Sequence, residues 1–224
     1  GRYVVPGAMA VAQMLLAYEV NPSFMGQYTN AAAHKPELPD YFNELKYELD
    51  WMMTMQREDG ALYHKVSCYN FCGFILPDQE KEEIVISPVS ATATGDFAAA
   101  TAMAVRFYQK YDAEYADRLA AASRRAYEAL QNMNIPGGFK NPEEIVTGEY
   151  GDPCDEDERY WAAAELYKTF GDEKYRRDFE ERAAGKIYHG YGWGAMGSYG
   201  NLAYITTSHP VSEGLKEKIK ASMI

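Results

Sequence analysis

Residues 96–108 read Asp-Phe-Ala-Ala-Ala-Thr-Ala-Met-Ala-Val-Arg-Phe-Tyr, and apolar side chains, most of them small, occupy nearly every position from Phe97 to Val105. A helix that is apolar on all sides is buried on all sides. The next segment, residues 113–133, differs because its apolar residues recur at helical spacing while arginine and glutamate occupy the other positions. The two segments therefore predict a buried helix followed by a partly exposed one.

The same alternation recurs in three further pairs of segments. In each pair an apolar segment precedes a more polar one, namely residues 3–19 and 40–56, 160–167 and 173–183, and 199–206 and 212–223. Two concentric rings of helices require this alternation, and a superhelix of stacked helix pairs would show it too. The pairs share no fixed period, which weighs against a repeat protein. The sequence predicts one all-α domain over residues 1–224, with Ile84-Val85-Ile86 as an apolar run inside a loop.

The composition of the 224 residues excludes several classes of protein. The 22 Lys and Arg residues against 33 Asp and Glu residues give a net charge of −11, which argues against binding nucleic acid through its phosphates. No apolar run approaches the ~20 residues that span a bilayer, so no membrane partner is expected. Three cysteines are too few for a disulfide framework. Cys68 and Cys72 lack a second pair of metal-binding spacing, so free thiols are favoured, although a zinc site stays open.

Short motifs follow one another in order from residue 1 to about residue 204. They occupy residues 1–8, 48–52 with 55–56, 60–66, 87–90 with 93–94, 147–152, 157–167 and 192–194, and include Gly60-Ala61-Leu62-Tyr63-His64-Lys65-Val66 and Thr147-Gly148-Glu149-Tyr150-Gly151-Asp152. Together they resemble glycoside hydrolase family nine, most closely the clostridial and ruminal branch of its cellulases. The resemblance implies an (α/α)6 barrel, a toroid of inner and outer helices, which is here incomplete at both ends.

The resemblance also implies the hydrolysis of β-1,4-glucosidic bonds in cellulose or related β-glucans, with inversion. Inverting enzymes use one carboxylate to activate water and a carboxylic acid to protonate the leaving oxygen. The family's base lies in an Asp-Ala-Gly-Asp motif directly before the residue that matches Gly1, and its acid lies beyond the position of Ile224. We therefore expect neither catalytic carboxylate within this chain. The family further implies a secreted parent enzyme with an N-terminal immunoglobulin-like module.

Four residues are candidates for sugar binding. The family histidine that matches His64 contacts sugar, and Tyr63 lies beside it in the same glycine-containing loop. Tyr150 and Trp193 fall in loops where family aromatic residues stack on glucose rings. An aromatic ring packs well on the C–H face of a β-glucose, but packing within the barrel is the alternative function of each ring.

An acidic loop precedes the buried segment 160–167 and contains Asp152, Asp155, Asp157 and Glu158. Acidic residues at a helix N-terminus are favoured by the helix dipole, which is the simpler interpretation. Carboxylates in an irregular loop can also bind calcium. Related cellulases bind calcium near the matching Asp-Glu pair, so Asp157 and Glu158 are the expected ligands if calcium is a cofactor.

Two functions outside hydrolysis remain open at this point. A non-catalytic carbohydrate-binding α/α protein would have the same helix pattern and the same loop aromatic residues. A helical-repeat scaffold protein would share the helix pattern alone. Binding of a cello-oligosaccharide without its turnover would favour the first of these two alternatives.

Overall fold

Helices account for most of the computed structural model, which describes residues 1–25, 39–136 and 138–223. The helices in these ranges are α1 (Val4–Val20), α2 (Pro22–Met25), α3 (Asp40–Thr54), α4 (Ala91–Tyr108), α5 (Ala113–Gln131), α6 (Glu156–Phe170), α7 (Glu173–Gly185), α8 (Gly197–Thr206) and α9 (Glu213–Ser222). Three short strands accompany them, namely β1 (Arg2–Tyr3), β2 (Lys65–Cys68) and β3 (Ile84–Ile86).

The longer helices form two layers. In the inner layer α4 packs between α1 and α6, and α6 packs on α8. In the outer layer α3 lies against α1, α5 against α4, α7 against α6 and α9 against α8. The predicted alternation of buried and exposed helices is therefore confirmed. In the part of the chain that the structure describes, no helix combines the length and apolarity that crossing a bilayer would require.

Helix α4 is buried along nearly its whole length because its side chains are small enough for neighbours on every side. Every residue from Ala91 to Val105 is buried. Ser90 caps the N-terminus by accepting a hydrogen bond from the Ala93 amide at 3.1 Å. Gly95 allows α6 to approach closely, since a Cβ atom there would lie 2.8 Å from the Glu158 Cβ. The sequence of α4 thus sets the spacing of the inner layer.

Helix α1 departs from the prediction that its apolar surface is covered on all sides. Ala10, Gln13 and Ala17 are exposed within the described structure. Next to them runs an open groove of about 510 Å³, lined by Gln13, Leu16, Ala17, Val20, Asn21, Tyr191 and Tyr199. An all-round apolar pattern shows that a helix can be buried on every side, but it does not show which neighbours are present.

The strands form an antiparallel sheet in the order β1-β2-β3. Arg2 pairs with Val66, and Val66 pairs with Ile86. The prediction of a loop at residues 84–86 was wrong because strands this short show no readable alternation, and their partners lie far away in the sequence. Ile84 and Ile86 are 71% and 57% exposed, whereas the buried side chains of β2 face the loop at residue 147.

Candidate functional site

Three aromatic rings from distant parts of the chain meet at one surface. Tyr3 of β1 and Tyr150 have ring centroids 4.6 Å apart, and Tyr150 and Trp193 have centroids 5.2 Å apart in an edge-to-face arrangement. Tyr150 is 36% exposed and Trp193 is 37% exposed. The rings are thus fixed by one another while part of their surface stays accessible. We call Tyr3, Tyr150 and Trp193 the aromatic cluster.

Tyr150 has a strained backbone. Its φ angle is +50°, and it is the only non-glycine residue with positive φ in the described ranges. Left-handed backbone is unfavourable for a residue with a Cβ atom, and it persists only where the surrounding structure enforces it. The neighbours of Tyr150 leave little space, since a Cβ atom at Gly151 would lie 2.7 Å from the Phe139 carbonyl oxygen. The segment 147–151 is therefore tightly constrained.

His64 is fully buried behind this segment. Its Nε2 lies 3.0 Å from the Glu149 carbonyl oxygen, and its Nδ1 lies 2.8 Å from Ser90 Oγ. The imidazole stacks on Phe139 with centroids 3.8 Å apart. Burial is the main cause that lowers the pKa of His64 to about 4, with the charge of Lys65 acting in the same direction. His64 is therefore neutral at pH 7, with both ring nitrogens engaged inside the protein.

Lys65 is also fully buried and contacts the same segment. Its Nζ donates to the Gly148 carbonyl at 2.6 Å, and to the carbonyl and hydroxyl oxygens of Thr147 at 3.3 Å each. The ammonium group lies 5.6 Å from the ring centroid of Tyr3. Burial lowers the pKa of Lys65, while the nearby charge of Glu149 opposes that effect. Neutral oxygens and an aromatic ring thus surround this buried amine.

The structure brings together two of the four predicted sugar-binding residues. Tyr150 and Trp193 share the aromatic cluster, whereas Tyr63 is half-buried and packs partly against the hydrophobic core. His64 supports the cluster from behind and offers no free ring nitrogen to a sugar. The sequence did not identify Tyr3 as part of the site, although Tyr3 lies in the first of the matching motifs. Tyr3 immediately precedes a helix, and nothing in the sequence indicates that it pairs with residue 65 in a sheet.

The two predicted calcium ligands, Asp157 and Glu158, have different surroundings. Asp157 Oδ2 accepts a hydrogen bond from the Met196 amide at 2.6 Å, and Glu158 is buried against Gly95. Calcium takes six to eight oxygen ligands. Within the described residues, no three His, Cys, Asp or Glu side chains are grouped to hold a metal ion, and Cys68 and Cys72 are free thiols. Calcium binding at Asp157 and Glu158 stays a prediction.

Asp96 and Glu158 form a buried acidic pair instead. Among the residues that the structure describes, none donates a hydrogen bond to any of the four carboxyl oxygens of this pair. Burial is the main cause that raises the pKa of both groups well above the ordinary values. Repulsion from Asp157 and Asp152 adds to the rise at Asp96, and repulsion from Asp96, Asp157 and Asp152 adds to it at Glu158. Both side chains therefore bind a proton at higher pH than exposed carboxyl groups do. We interpret them as neutral carboxylic acids buried in the inner helix layer.

A family model described as Glycosyl hydrolase family 9 matches residues 1–221 of this chain. The chain belongs to glycosyl hydrolase family 9. Structural neighbours in family 9 have an (α/α)6 barrel, so the predicted architecture is confirmed, and the inner and outer helices described above are part of such a barrel.

Named members of family 9 are similar over almost the whole chain. Endoglucanase D of Acetivibrio thermocellus is 42% identical over 100% of this chain and 37% of its own length. A cellodextrinase of Butyrivibrio fibrisolvens is 36% identical over 92% of this chain and 41% of its own length.

A crystal structure gives the same likeness in three dimensions. This crystal structure is of a D468A mutant of a thermostable endoglucanase from Alicyclobacillus acidocaldarius. It superimposes on the present structure with a TM-score of 0.92, and the two sequences are 34% identical. The match covers 99% of this chain and 43% of that one. The chain thus spans about two fifths of the length of these relatives and covers only part of the catalytic domain.

Proposed function

We propose that this chain is part of an inverting glycoside hydrolase acting on cellulose or a related β-glucan, and that it supplies scaffold and one wall of the sugar cleft. The partly exposed aromatic cluster in a family 9 scaffold is the observation that carries the proposal. Relatives named endoglucanase and cellodextrinase support a β-glucan as the substrate.

The aromatic cluster suits a glucose ring because its exposed surfaces are large, apolar and rigid. The C–H face of a β-glucose packs on such a surface, while sugar hydroxyls remain free for polar contacts. Tyr150 and Trp193 would make this contact, and Tyr3 would hold Tyr150 in place. Tyr63 and His64 stay predictions as sugar ligands, and the burial of His64 favours an indirect role.

The two catalytic carboxylates are proposed to lie outside this chain. An inverting enzyme needs two accessible carboxyl groups, separated widely enough to admit water. Asp96 and Glu158 are unsuited because both are buried between inner helices. The resemblance instead implies a base before the position of Gly1 and an acid after that of Ile224. Secretion and an N-terminal immunoglobulin-like module of the parent enzyme likewise remain proposals from that resemblance.

Calorimetric titration with cellohexaose tests the sugar site. Tyr150→Ala and Trp193→Ala should each weaken binding about tenfold, because each removes an aromatic contact. Phe71→Ala is the matched control, since Phe71 is 70% exposed and lies outside the cluster. Unchanged affinity in both cluster variants would contradict the proposed site.

Hydrolysis of carboxymethyl-cellulose tests the location of the catalytic groups. We expect no new reducing ends from the 224-residue chain and clear activity from a version extended at both ends. Strong activity of the 224-residue chain alone would overturn the proposed absence of the catalytic carboxylates. Binding of cellohexaose by the extended version without hydrolysis would favour the non-catalytic carbohydrate-binding alternative.

Calcium binding at Asp157 and Glu158 stays a prediction with its own test. If calcium binds the folded chain there, adding calcium chloride should raise the melting temperature, and Asp157→Asn should abolish the rise. Magnesium chloride at the same ionic strength is the control. Equal melting temperatures in calcium chloride and in magnesium chloride would contradict the prediction.

A further inference from the structure

Buried hydrogen-bond donors near the start of β2 hold the segment 147–149 from one side. His64 Nε2 and Lys65 Nζ contact three consecutive carbonyl oxygens, those of Thr147, Gly148 and Glu149. A carbonyl oxygen only accepts hydrogen bonds, so His64 must carry its proton on Nε2. Three successive peptide groups are thereby fixed immediately before Tyr150.

These hydrogen bonds account for the strained backbone of Tyr150. With the carbonyl groups of residues 147–149 held toward β2, the chain turns outward at the next residue, where φ is +50°. In a non-glycine residue, the left-handed backbone conformation is populated roughly 5- to 150-fold less than the relaxed conformation. The turn places the Tyr150 ring between those of Tyr3 and Trp193.

We propose that Lys65 and His64 are positioning residues that hold Tyr150 in its left-handed conformation and so preorganise the aromatic cluster. The value of this arrangement for sugar binding rests on the proposed function. Preorganisation raises affinity because the free protein has already ordered the groups that contact the ligand. Neither side chain needs to touch the sugar to have this effect.

Lys65 is the stronger of the two restraints. It reaches two carbonyl groups and a hydroxyl with one charged donor, and its ammonium also lies by the ring of Tyr3. Charge-assisted hydrogen bonds are stronger than neutral ones, particularly where water is excluded. One side chain therefore couples two members of the aromatic cluster, Tyr3 directly and Tyr150 through the preceding carbonyl groups.

The first test needs no ligand. In Lys65→Met, we expect amide hydrogen exchange at residues 147–151 to accelerate about tenfold or more, because the segment opens locally. The fluorescence of Trp193 should shift toward that of solvent-exposed indole as its contact with Tyr150 is lost. Lys140→Met is the matched control, since Lys140 contacts the Glu149 side chain from the exposed side at 3.1 Å. Unchanged exchange in Lys65→Met would overturn the proposal.

The second test is a double-mutant cycle with cellohexaose as the probe. Lys65→Met should weaken binding about tenfold in the native background and not at all in a Tyr150→Ala background, because its effect passes through Tyr150. An equal loss in both backgrounds would overturn the positioning role. If the unaltered chain does not bind cellohexaose, the proposed function fails, while the exchange experiment still decides the positioning role.

A second variant covers the case in which Lys65→Met does not fold. His64→Leu keeps a side chain of comparable bulk and removes the donor to the Glu149 carbonyl. We expect the same direction of change in exchange and in affinity, confined to residues 149–151. Normal exchange there together with normal affinity would contradict the role of His64.

Discussion

The protonation state of His64 decides which hydrogen bonds it makes. With the proton on Nε2, the ring donates to the Glu149 carbonyl and accepts from Ser90 Oγ at Nδ1. A second proton on Nδ1 would remove that acceptor and place a charge on a buried ring. Ser90 also caps α4, so the histidine links the aromatic cluster to an inner helix.

The pH dependence of stability should report this histidine. Its pKa is ordinarily near 6.5 and is lowered to about 4 in the fold, so the unfolded chain binds more protons between those pH values. The free energy of unfolding should therefore fall as the pH drops from 7 to 4, by about 3 kcal/mol from this group. Urea denaturation of His64→Gln, which keeps a donor but does not titrate, should show a flatter profile. Equal pH slopes in both proteins would contradict this origin.

Asp96 should have the opposite pH dependence. Burial and the repulsion from neighbouring carboxylates raise its pKa, so its contribution to stability is complete below the ordinary pKa and is lost as the pH rises through the folded value. Asp96→Asn should therefore unfold at higher urea concentration than the native chain at pH 8, with a smaller difference at pH 5. Glu217→Gln, at an exposed position, serves as the control. A destabilised Asp96→Asn at pH 8 would refute the neutral-acid interpretation.

At the scale of elements, glycines set how closely the inner helices pack. A Cβ atom at Gly95 of α4 would lie 2.8 Å from Glu158 of α6, and one at Gly200 of α8 would lie 2.8 Å from the ring of Tyr160. Both values are well inside van der Waals contact. The inner layer therefore depends on helix residues that are poor helix formers, because close approach outweighs propensity.

Gly95→Ala tests this balance. Alanine should stabilise the helix itself by about 1 kcal/mol, but overpacking against Glu158 should cost about 1–3 kcal/mol, so a net loss of stability is expected. Gly214→Ala in α9 is the matched control, since no atom of the described residues lies within 4 Å of its added Cβ, and it should be neutral or stabilising. Thermal unfolding measures both. A stabilised Gly95→Ala would mean that the two helices separate easily.

The helix pairs could be predicted from the sequence because burial leaves a local record in side-chain size and polarity. Residues 97–105 are buried throughout, as the run of mostly small apolar residues predicts. The sheet could not be predicted in this way, because Tyr3 pairs with Lys65, which lies far away in the sequence. For the same reason the sequence predicted Tyr150 and Trp193 as sugar ligands separately, but not the contacts of Tyr150 with Trp193 and Tyr3 or the support from Lys65.

At the scale of the whole molecule, one face of the sheet exposes apolar side chains to solvent. Ile84 and Ile86 of the edge strand project there, and Phe74 lies fully exposed nearby in sequence. An edge strand with exposed apolar side chains promotes association between chains. This surface should therefore govern how the protein behaves at high concentration.

A double substitution of Ile84 and Ile86 to threonine should reduce self-association measured by light scattering, with little change in the melting temperature. The reason is that both side chains are largely exposed and contribute little to the core. Val85→Thr is the control, because Val85 is half-buried on the opposite face and should lower stability instead. Unaltered light scattering in the double variant would show that another surface controls association.

The pairing of β1 with β2 also bears on the order in which the molecule folds. Helices α4 and α5 are joined by residues 109–112 alone, so their contacts close a short loop. The pairing of Arg2 with Val66 closes a much longer loop. Contacts that are distant in sequence form slowly because the loop entropy is lost before the contact is gained. We therefore expect the helical hairpin to form early. The aromatic cluster, which needs β1, residue 150 and residue 193 together, should be among the last parts of the molecule to assemble.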